Sequence, residues 1–379
     1  MSNESRAEVL ARLPLRDDLR GRTPYGAPQL DVPVRLNTNE NSYDVPAEVA
    51  AAIVEAVRQE AGHLNRYPDR EFTQLREDLA NYLGHDLEAD QIWAANGSNE
   101  VLQQLLQAFG GPGRTVLGFA PSYSMHPIIT VGTGATWVDG KRGRAGQATD
   151  DPNQFDLHVA ETVEQIERVK PAVTFLCSPN NPTGTALDLD VVKAAYDATD
   201  GIVIVDEAYT EFARTGTASA LTLLPGRERL VVSRTMSKAF ALAGARVGYL
   251  AADPAVTDAI RLVRLPYHLS SLTQAAARAA LWHSDVLLDT VEAIKRDRDR
   301  IVTSVRELGL NPAPSDANFV LFGGLADEKA LWRSLLSRGV LIRDVGLPGF
   351  LRVSAGTPEE TTIFLDALAD SLLDAPVTV

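Results

Sequence analysis

Lys238 stands in the run Ser233-Arg-Thr-Met-Ser-Lys-Ala-Phe-Ala-Leu-Ala-Gly-Ala-Arg-Val-Gly-Tyr249, a lysine among small residues with Gly244 and Arg246 close behind. A neutral lysine amine can condense with an aldehyde. Short Ser and Ala neighbours let a flat ring approach the backbone, and Arg246 offers a planar fork to a phosphate. The pattern reads as an attachment site for pyridoxal phosphate and implies amine chemistry. Taken alone, it also suits a solvated lysine at a strand end, so other segments must decide.

Asp206, in Val205-Asp-Glu-Ala-Tyr209, follows a buried-type apolar run, where a carboxylate is costly to ionise unless a cation or donors face it. Paired with a protonated pyridine nitrogen, it would keep that ring able to accept electron density from a breaking Cα–H bond. Tyr209 and Asn181, the latter in Ser178-Pro-Asn-Asn-Pro-Thr-Gly184, carry donors suited to a phenolic oxygen. The second segment reads equally as a rigid turn. Tyr123, in Pro121-Ser-Tyr-Ser-Met125, is suited to stacking on a flat ring. Asn96-Gly-Ser-Asn-Glu100 precedes a helix with Leu102, Leu105, Leu106 and Phe109 on one side. Ser98 and Asn99 are therefore cap candidates, and the first free N–H groups there can hold a phosphate.

Such segments need a scaffold that presents them at one edge. Residues 116–119, 172–177, 201–205 and 230–233 are short apolar runs, as expected for strands buried on both faces of a mainly parallel sheet. Leu189, Val192 and Tyr196 recur between them at helical spacing, giving strand-helix-strand units and an α/β core. Ligands collect where the strands of such sheets end. Beyond about residue 273, Leu287, Val291, Ile294, Ile301, Val305 and Leu308 share one face of a long helix closed by Gly309. Residues 318–322, 340–342 and 351–353 read as strands, and 328–337 and 359–373 as helices. The expected organisation is a large domain over 46–272, with an N-terminal arm at 1–45 and a smaller α+β domain at 273–379. Residues 140–151 read as a polar loop.

Thirty-six basic against fifty acidic residues leave a formal charge of −14, which argues against nucleic acid or an anionic membrane surface as partner. An anionic small-molecule ligand would need individual arginines to reverse that field locally. Cys177 is the one cysteine, so no internal disulfide is possible, and no signal-peptide pattern or membrane-span pattern is present. A cytoplasmic location is expected. The six histidines lack ligand spacing, so no metal site is expected.

The order of phosphate cap, stacking Tyr, Asn, Asp with Tyr, then Lys with Arg resembles the aspartate aminotransferase superfamily of fold-type I pyridoxal phosphate enzymes. Leu36-Asn-Thr-Asn-Glu-Asn41, Leu64-Asn-Arg-Tyr-Pro-Asp69, Asp316-Ala-Asn-Phe319 and Leu341-Ile-Arg-Asp344, with the segments above, extend the resemblance to the histidinol-phosphate aminotransferase family over nearly the whole chain. The resemblance implies a fold-type I transferase with a large, mainly parallel sheet domain and a smaller α+β domain. It implies that Lys238 bonds to the cofactor aldehyde and that Asp206 contacts the pyridine nitrogen. Asn181 and Tyr209 would contact the phenolic oxygen, Tyr123 would stack, and Ser98, Asn99, Ser237 and Arg246 would hold the phosphate. Tyr67 would reach the cofactor phosphate of a neighbouring subunit in a homodimer. Arg343 and Arg352 would read the substrate anion, with Arg352 also taking a glutamate or 2-oxoglutarate carboxylate and Tyr25 lining the pocket. The Asn96-Gly-Ser-Asn99 loop departs from a more common Asp-containing version, which leaves the role of the Asn99 side chain open.

The implied reaction exchanges an amino group between L-histidinol phosphate and 2-oxoglutarate, with imidazole-acetol phosphate and L-glutamate as the opposite pair. An aromatic amino acid aminotransferase is the nearest rival, because a pocket for imidazole can admit a phenyl ring. A threonine-phosphate decarboxylase and a noncatalytic ligand-sensing module are more distant ones. A nicotinamide-dependent enzyme lacks its glycine fingerprint here.

Overall fold

Every residue of Val173–Cys177 and Ile202–Asp206 is buried, as unbroken apolar runs require of strands covered on both faces. The computed structural model describes residues 6–144, 147–148, 151 and 153–374. In chain order its strands are β1 (Val34–Arg35), β2 (Ile92–Ala95), β3 (Thr115–Ala120), β4 (Thr136–Lys141), β5 (Val173–Cys177), β6 (Ile202–Asp206), β7 (Leu230–Thr235), β8 (Gly248–Ala252), β9 (Asn311–Pro312), β10 (Phe319–Gly323), β11 (Val340–Leu341), β12 (Arg343–Asp344) and β13 (Leu351–Ser354).

Strands β2 to β8 form one sheet in the order β2-β8-β7-β6-β5-β3-β4. The ladders from β7 through β4 are parallel, and β8 runs antiparallel to both neighbours. The fold is the expected α/β fold-type I architecture. Helices cover the sheet by their apolar stripes. Ser98–Phe109 buries Val101, Leu102, Leu105 and Leu106, each worth about 1.5–3 kcal/mol when fully buried. Strands β9, β10, β12 and β13 make a separate antiparallel sheet, and β1 pairs in parallel with β11. The long helix Ser284–Glu307 lies against β9 and β10, and Gly309 at φ 81° ends the turn that follows it. The helix Ser271–Leu281, which spans residue 273, packs against Ala47–Ala61 and Thr73–Leu83. One apolar cluster runs through both larger sheets.

Two local readings are corrected. Gly140 and Lys141, expected in a polar loop, end strand β4, where each pairs with β3. Of that loop, residues 145–146 and 149–150 lie outside the described residues, as do residues 1–5 of the N-terminal segment. Ser98 is not a cap but the first residue of its helix, with Asn99 second. Gly97 at φ 83° occupies the cap position without a side-chain bond. Asn96 is drawn off by Glu100, whose Oε2 accepts from its backbone N at 2.7 Å and its Nδ2 at 2.6 Å.

Candidate active site

The carboxyl ends of β3, β5, β6 and β7 deliver Tyr123, Asn181, Asp206 and Lys238 to one edge of the sheet. Because β8 runs backwards, its first residue, Gly248, lies at that same edge opposite Thr235, which brings Arg246 there too. A cavity of about 440 Å³ opens at this edge. Every residue singled out from the sequence lines it except Tyr67.

One end of the cavity is a backbone cradle. Gly97 and Gly248 leave room where a side chain would not fit: a Cβ on Gly97 would strike the Arg246 guanidinium, and one on Gly248 would strike the backbone of Ser98. The start of Ser98–Phe109 therefore faces the cavity with its first N–H groups uncapped by a side chain, beside Arg246 and Ser237. An oriented helix N-terminus with a guanidinium is a dianion site. Arg246 sits at φ 57°, a left-handed conformation rare for residues other than glycine, and its Nη1 donates to Ala243 O at 3.0 Å.

Deeper in, Asp206 ends β6 fully enclosed. Its Oδ2 lies 3.0 Å from His126 Nε2, and Ser233 Oγ, opposite it in the ladder, approaches Oδ1 at 3.4 Å. His126 is buried too and stacks on Phe175 at 4.3 Å between centroids. The sequence reading passed over His126, because metal spacing was the only role weighed for the histidines. The one signal was its place three residues after Tyr123. Cys177 also lines the cavity, but burial, with the Asp206 charge, pushes its thiol well above the usual range, so it offers no nucleophile.

Lys238 Nζ donates to Thr38 O at 3.1 Å. Burial, reinforced by the Arg352 charge, pulls its amine down to about 8, so about a tenth of it is neutral at pH 7, far more than for an ordinary lysine. Tyr209 accepts from Asn39 Nδ2 at 3.0 Å and Asn181 Nδ2 at 3.1 Å. Arg352, on β13, is buried, with Nη1 on Asn181 Oδ1 and Nη2 on Asn37 O at 2.9 Å. Burial pulls Arg352 down to about 10, so it stays charged at neutral pH, and its Nε has no hydrogen-bond partner among the described residues. Arg343 is half-buried on β12, with its guanidinium 5.8 Å from the Tyr25 ring centroid. The N-terminal arm thus reaches the cavity through Tyr25. Tyr67 lies elsewhere, 80% exposed in the single chain and stacked on Tyr267 at 4.5 Å.

The site joins a lysine with a depressed amine, a buried carboxylate, a dianion cradle and two arginines. The class I and II aminotransferase model matches residues 32–368. The chain belongs to this aminotransferase family. It is 64% identical over 370 residues to the histidinol-phosphate aminotransferase of Paenarthrobacter aurescens, covering 97% of each chain, and 61% identical to that of Frankia casuarinae, covering 95% of this chain and 90% of the other. The solved histidinol-phosphate aminotransferase of Sinorhizobium meliloti in complex with pyridoxal-5'-phosphate superposes with a TM-score of 0.79 at 26% identity, over 90% of this chain and 92% of that one. Aspartate aminotransferase of Thermus thermophilus shares the fold, with a TM-score of 0.75 at 23% identity over 89% of this chain and 91% of its own. This aminotransferase has no helix, among the described residues, long and apolar enough to cross a membrane.

Proposed function

We propose that the chain is a histidinol-phosphate aminotransferase that moves an amino group between L-histidinol phosphate and 2-oxoglutarate in L-histidine biosynthesis. The observation that carries this reading is the placement of Arg343 and Arg352 in the same cavity as Lys238 and the dianion cradle. One anion site serves the cofactor, and two guanidinium groups remain for a substrate phosphate or carboxylate. The relatives' identities support the same substrate.

The cavity suits pyridoxal 5'-phosphate, because the first N–H groups of Ser98–Phe109 carry no side-chain cap and line the same cavity as Arg246, Asp206 and Lys238. When bound, the cofactor supplies an aldehyde for the amino group and a ring that accepts electron density from the substrate Cα–H bond. Ser98, Asn99, Ser237 and Arg246 would hold its phosphate, and Tyr123 would stack on its ring. Asp206, oriented by His126, would keep a proton on the ring nitrogen. Asn181 and Tyr209 would face the phenolic oxygen. Lys238 would move a proton at the substrate Cα. Arg352 accepts the carboxylate of glutamate or 2-oxoglutarate, and Arg343 joins it on the substrate phosphate, with Tyr25 closing over both.

The active unit in this reading is a homodimer in which Tyr67 contributes to the partner's phosphate site. The exposure of Tyr67, Leu262 and Leu265 supports a covering surface there. A cytoplasmic location fits a single, buried, unpaired cysteine.

Single-turnover spectroscopy of the cofactor-loaded protein tests the reading, with L-histidinol phosphate and L-phenylalanine compared as donors. A strong preference for the phosphate is expected. A preference for phenylalanine would move the chain to aromatic substrates and remove Arg343 from phosphate binding. Lys238→Ala should keep the fold and lose turnover, and unchanged activity in that variant would refute the assignment of Lys238.

A further inference from the structure

The segment Leu36-Asn-Thr-Asn-Glu-Asn41 holds a buried residue with no assigned task. Asn39 is 1% exposed and sits at φ 55°, a left-handed conformation that asparagine tolerates better than most residues. Its backbone N–H donates to Ser354 Oγ at 3.0 Å, and its carbonyl accepts from Asn318 Nδ2 at 3.1 Å. Asn318, just before β10, and Ser354 on β13 therefore clamp Asn39 from its backbone side, and its amide is left to face Tyr209.

A phenol oxygen has one proton to give and two lone pairs with which to accept. Among the described residues, both recorded partners of Tyr209 Oη are amide donors, Asn39 Nδ2 and Asn181 Nδ2. A guanidinium only donates, so the Arg352 contact fixes Asn181 with its oxygen toward Arg352 and its NH2 toward the phenol. Ser354 Oγ donates to Asn39 Oδ1 at 3.0 Å, and the Asn39 NH2 faces the phenol. Both lone pairs of Tyr209 are then engaged, and its proton must point elsewhere.

We propose that Asn39 is a positioning residue that, with Asn181, saturates the acceptor side of Tyr209 and aims its single O–H into the cavity at the cofactor's phenolic oxygen. The inference rests on the cofactor reading given above. It is consistent with the balance at Tyr209: burial outweighs the lowering by the Arg352 charge and the Asn39 hydrogen bond, and the phenol stands raised to about 12.

The test is a pH titration of the visible absorbance of the cofactor-loaded protein. Asn39→Asp keeps the shape and tolerates the backbone, but it offers only acceptors, so Tyr209 turns its proton away from the cavity. A phenolic oxygen that loses a donor is more basic. The absorbance midpoint should rise by about 1–2 pH units, and kcat should fall more than KM changes, because both substrate arginines remain. Asn39→Gly keeps the left-handed backbone without the donor and should shift the midpoint in the same direction by less. In a Tyr209→Phe background, neither substitution should add to the shift. An unchanged midpoint in both variants, or a full extra shift in the Tyr209→Phe background, overturns the proposal. If Asn39→Asp does not fold, the Asn39→Gly titration decides by the same criterion. The two readings fail separately: wild-type protein that binds pyridoxal phosphate but does not turn over L-histidinol phosphate overturns the substrate, while the titration still decides Asn39. Wild-type protein that binds no cofactor overturns both.

Discussion

Gly248→Ala asks whether the proposed phosphate cradle is a backbone device. Gly248 opens β8, pairing Ala95 on one side and Thr235 on the other, so it cannot slide within the sheet. A Cβ built there would stand 2.6 Å from Ser98 Cα and closer still to Ser98 N and the Gly97 carbonyl carbon. All three are backbone atoms, and no change of rotamer relieves them. Carbon atoms pack at about 3.5–4.0 Å in a dense interior, so the start of the helix must retreat by about 1 Å or more. Hydrogen bonds to a phosphate operate over about 2.7–3.2 Å, and a retreat of that size breaks at least one of them. Each such charged bond contributes about 1.5–3 kcal/mol, so the apparent Kd for pyridoxal phosphate should weaken by about 10- to 100-fold per bond lost. The crowding itself should lower stability by about 1–3 kcal/mol. Gly132→Ala, outside the cavity, is the control, since a Cβ there meets nothing within 4 Å. Fluorescence titration with cofactor and thermal denaturation of both variants provide the assay. Cofactor affinity in Gly248→Ala equal to that of Gly132→Ala would refute the cradle argument.

Three further outcomes are expected. Burial holds Lys238 at about 8 against an ordinary 10.5, so between those values the folded chain binds fewer protons than the unfolded one. The contribution of Lys238 to stability then rises with pH across that window and is lost as pH falls through about 8. In cofactor-free protein, the stability gained by Lys238→Met should accordingly shrink from pH 7 to pH 10, and a gain flat in pH would contradict the depressed amine. His126→Phe preserves the stack on Phe175 but removes the partner of Asp206 Oδ2. It should weaken the apparent cofactor Kd by about tenfold, read by the same titration. Arg352→Lys replaces a fork that serves Asn181, Asn37 and an anion together with a single ammonium. Steady-state kinetics should show kcat/KM for glutamate falling about 100-fold, and a loss below about tenfold would count against Arg352 as the carboxylate reader.

Much of the cavity was legible because its parts are local patterns. Buried strands advertise themselves as mainly apolar runs, as in β5 and β6, and the residues at or just past their ends were marked by type: Asn181, Asp206, Lys238. Where pattern competed with backbone geometry, the reading slipped. Ser98 looked like a cap because serine usually is one, but the close approach of Gly248 and Arg246 reserves the cap position for Gly97. The strand ending at Lys141 was obscured by a polar, glycine-bearing sequence that is held in place by β3 rather than by its own propensity.

The residue order carried the chemistry: an amine, a carboxylate, amides and guanidinium groups, each at the end of a strand. It could not carry who faces whom. His126 meets Asp206 across 80 positions, and Asn39 meets Tyr209 across 170 and Ser354 across 315. Burial with the Arg352 charge likewise sets the amine of Lys238, because desolvation and hydrogen-bond geometry depend on whatever surrounds a group in space. A side chain brings its functional group from the sequence; its acidity and its aim come from neighbours that only folding supplies.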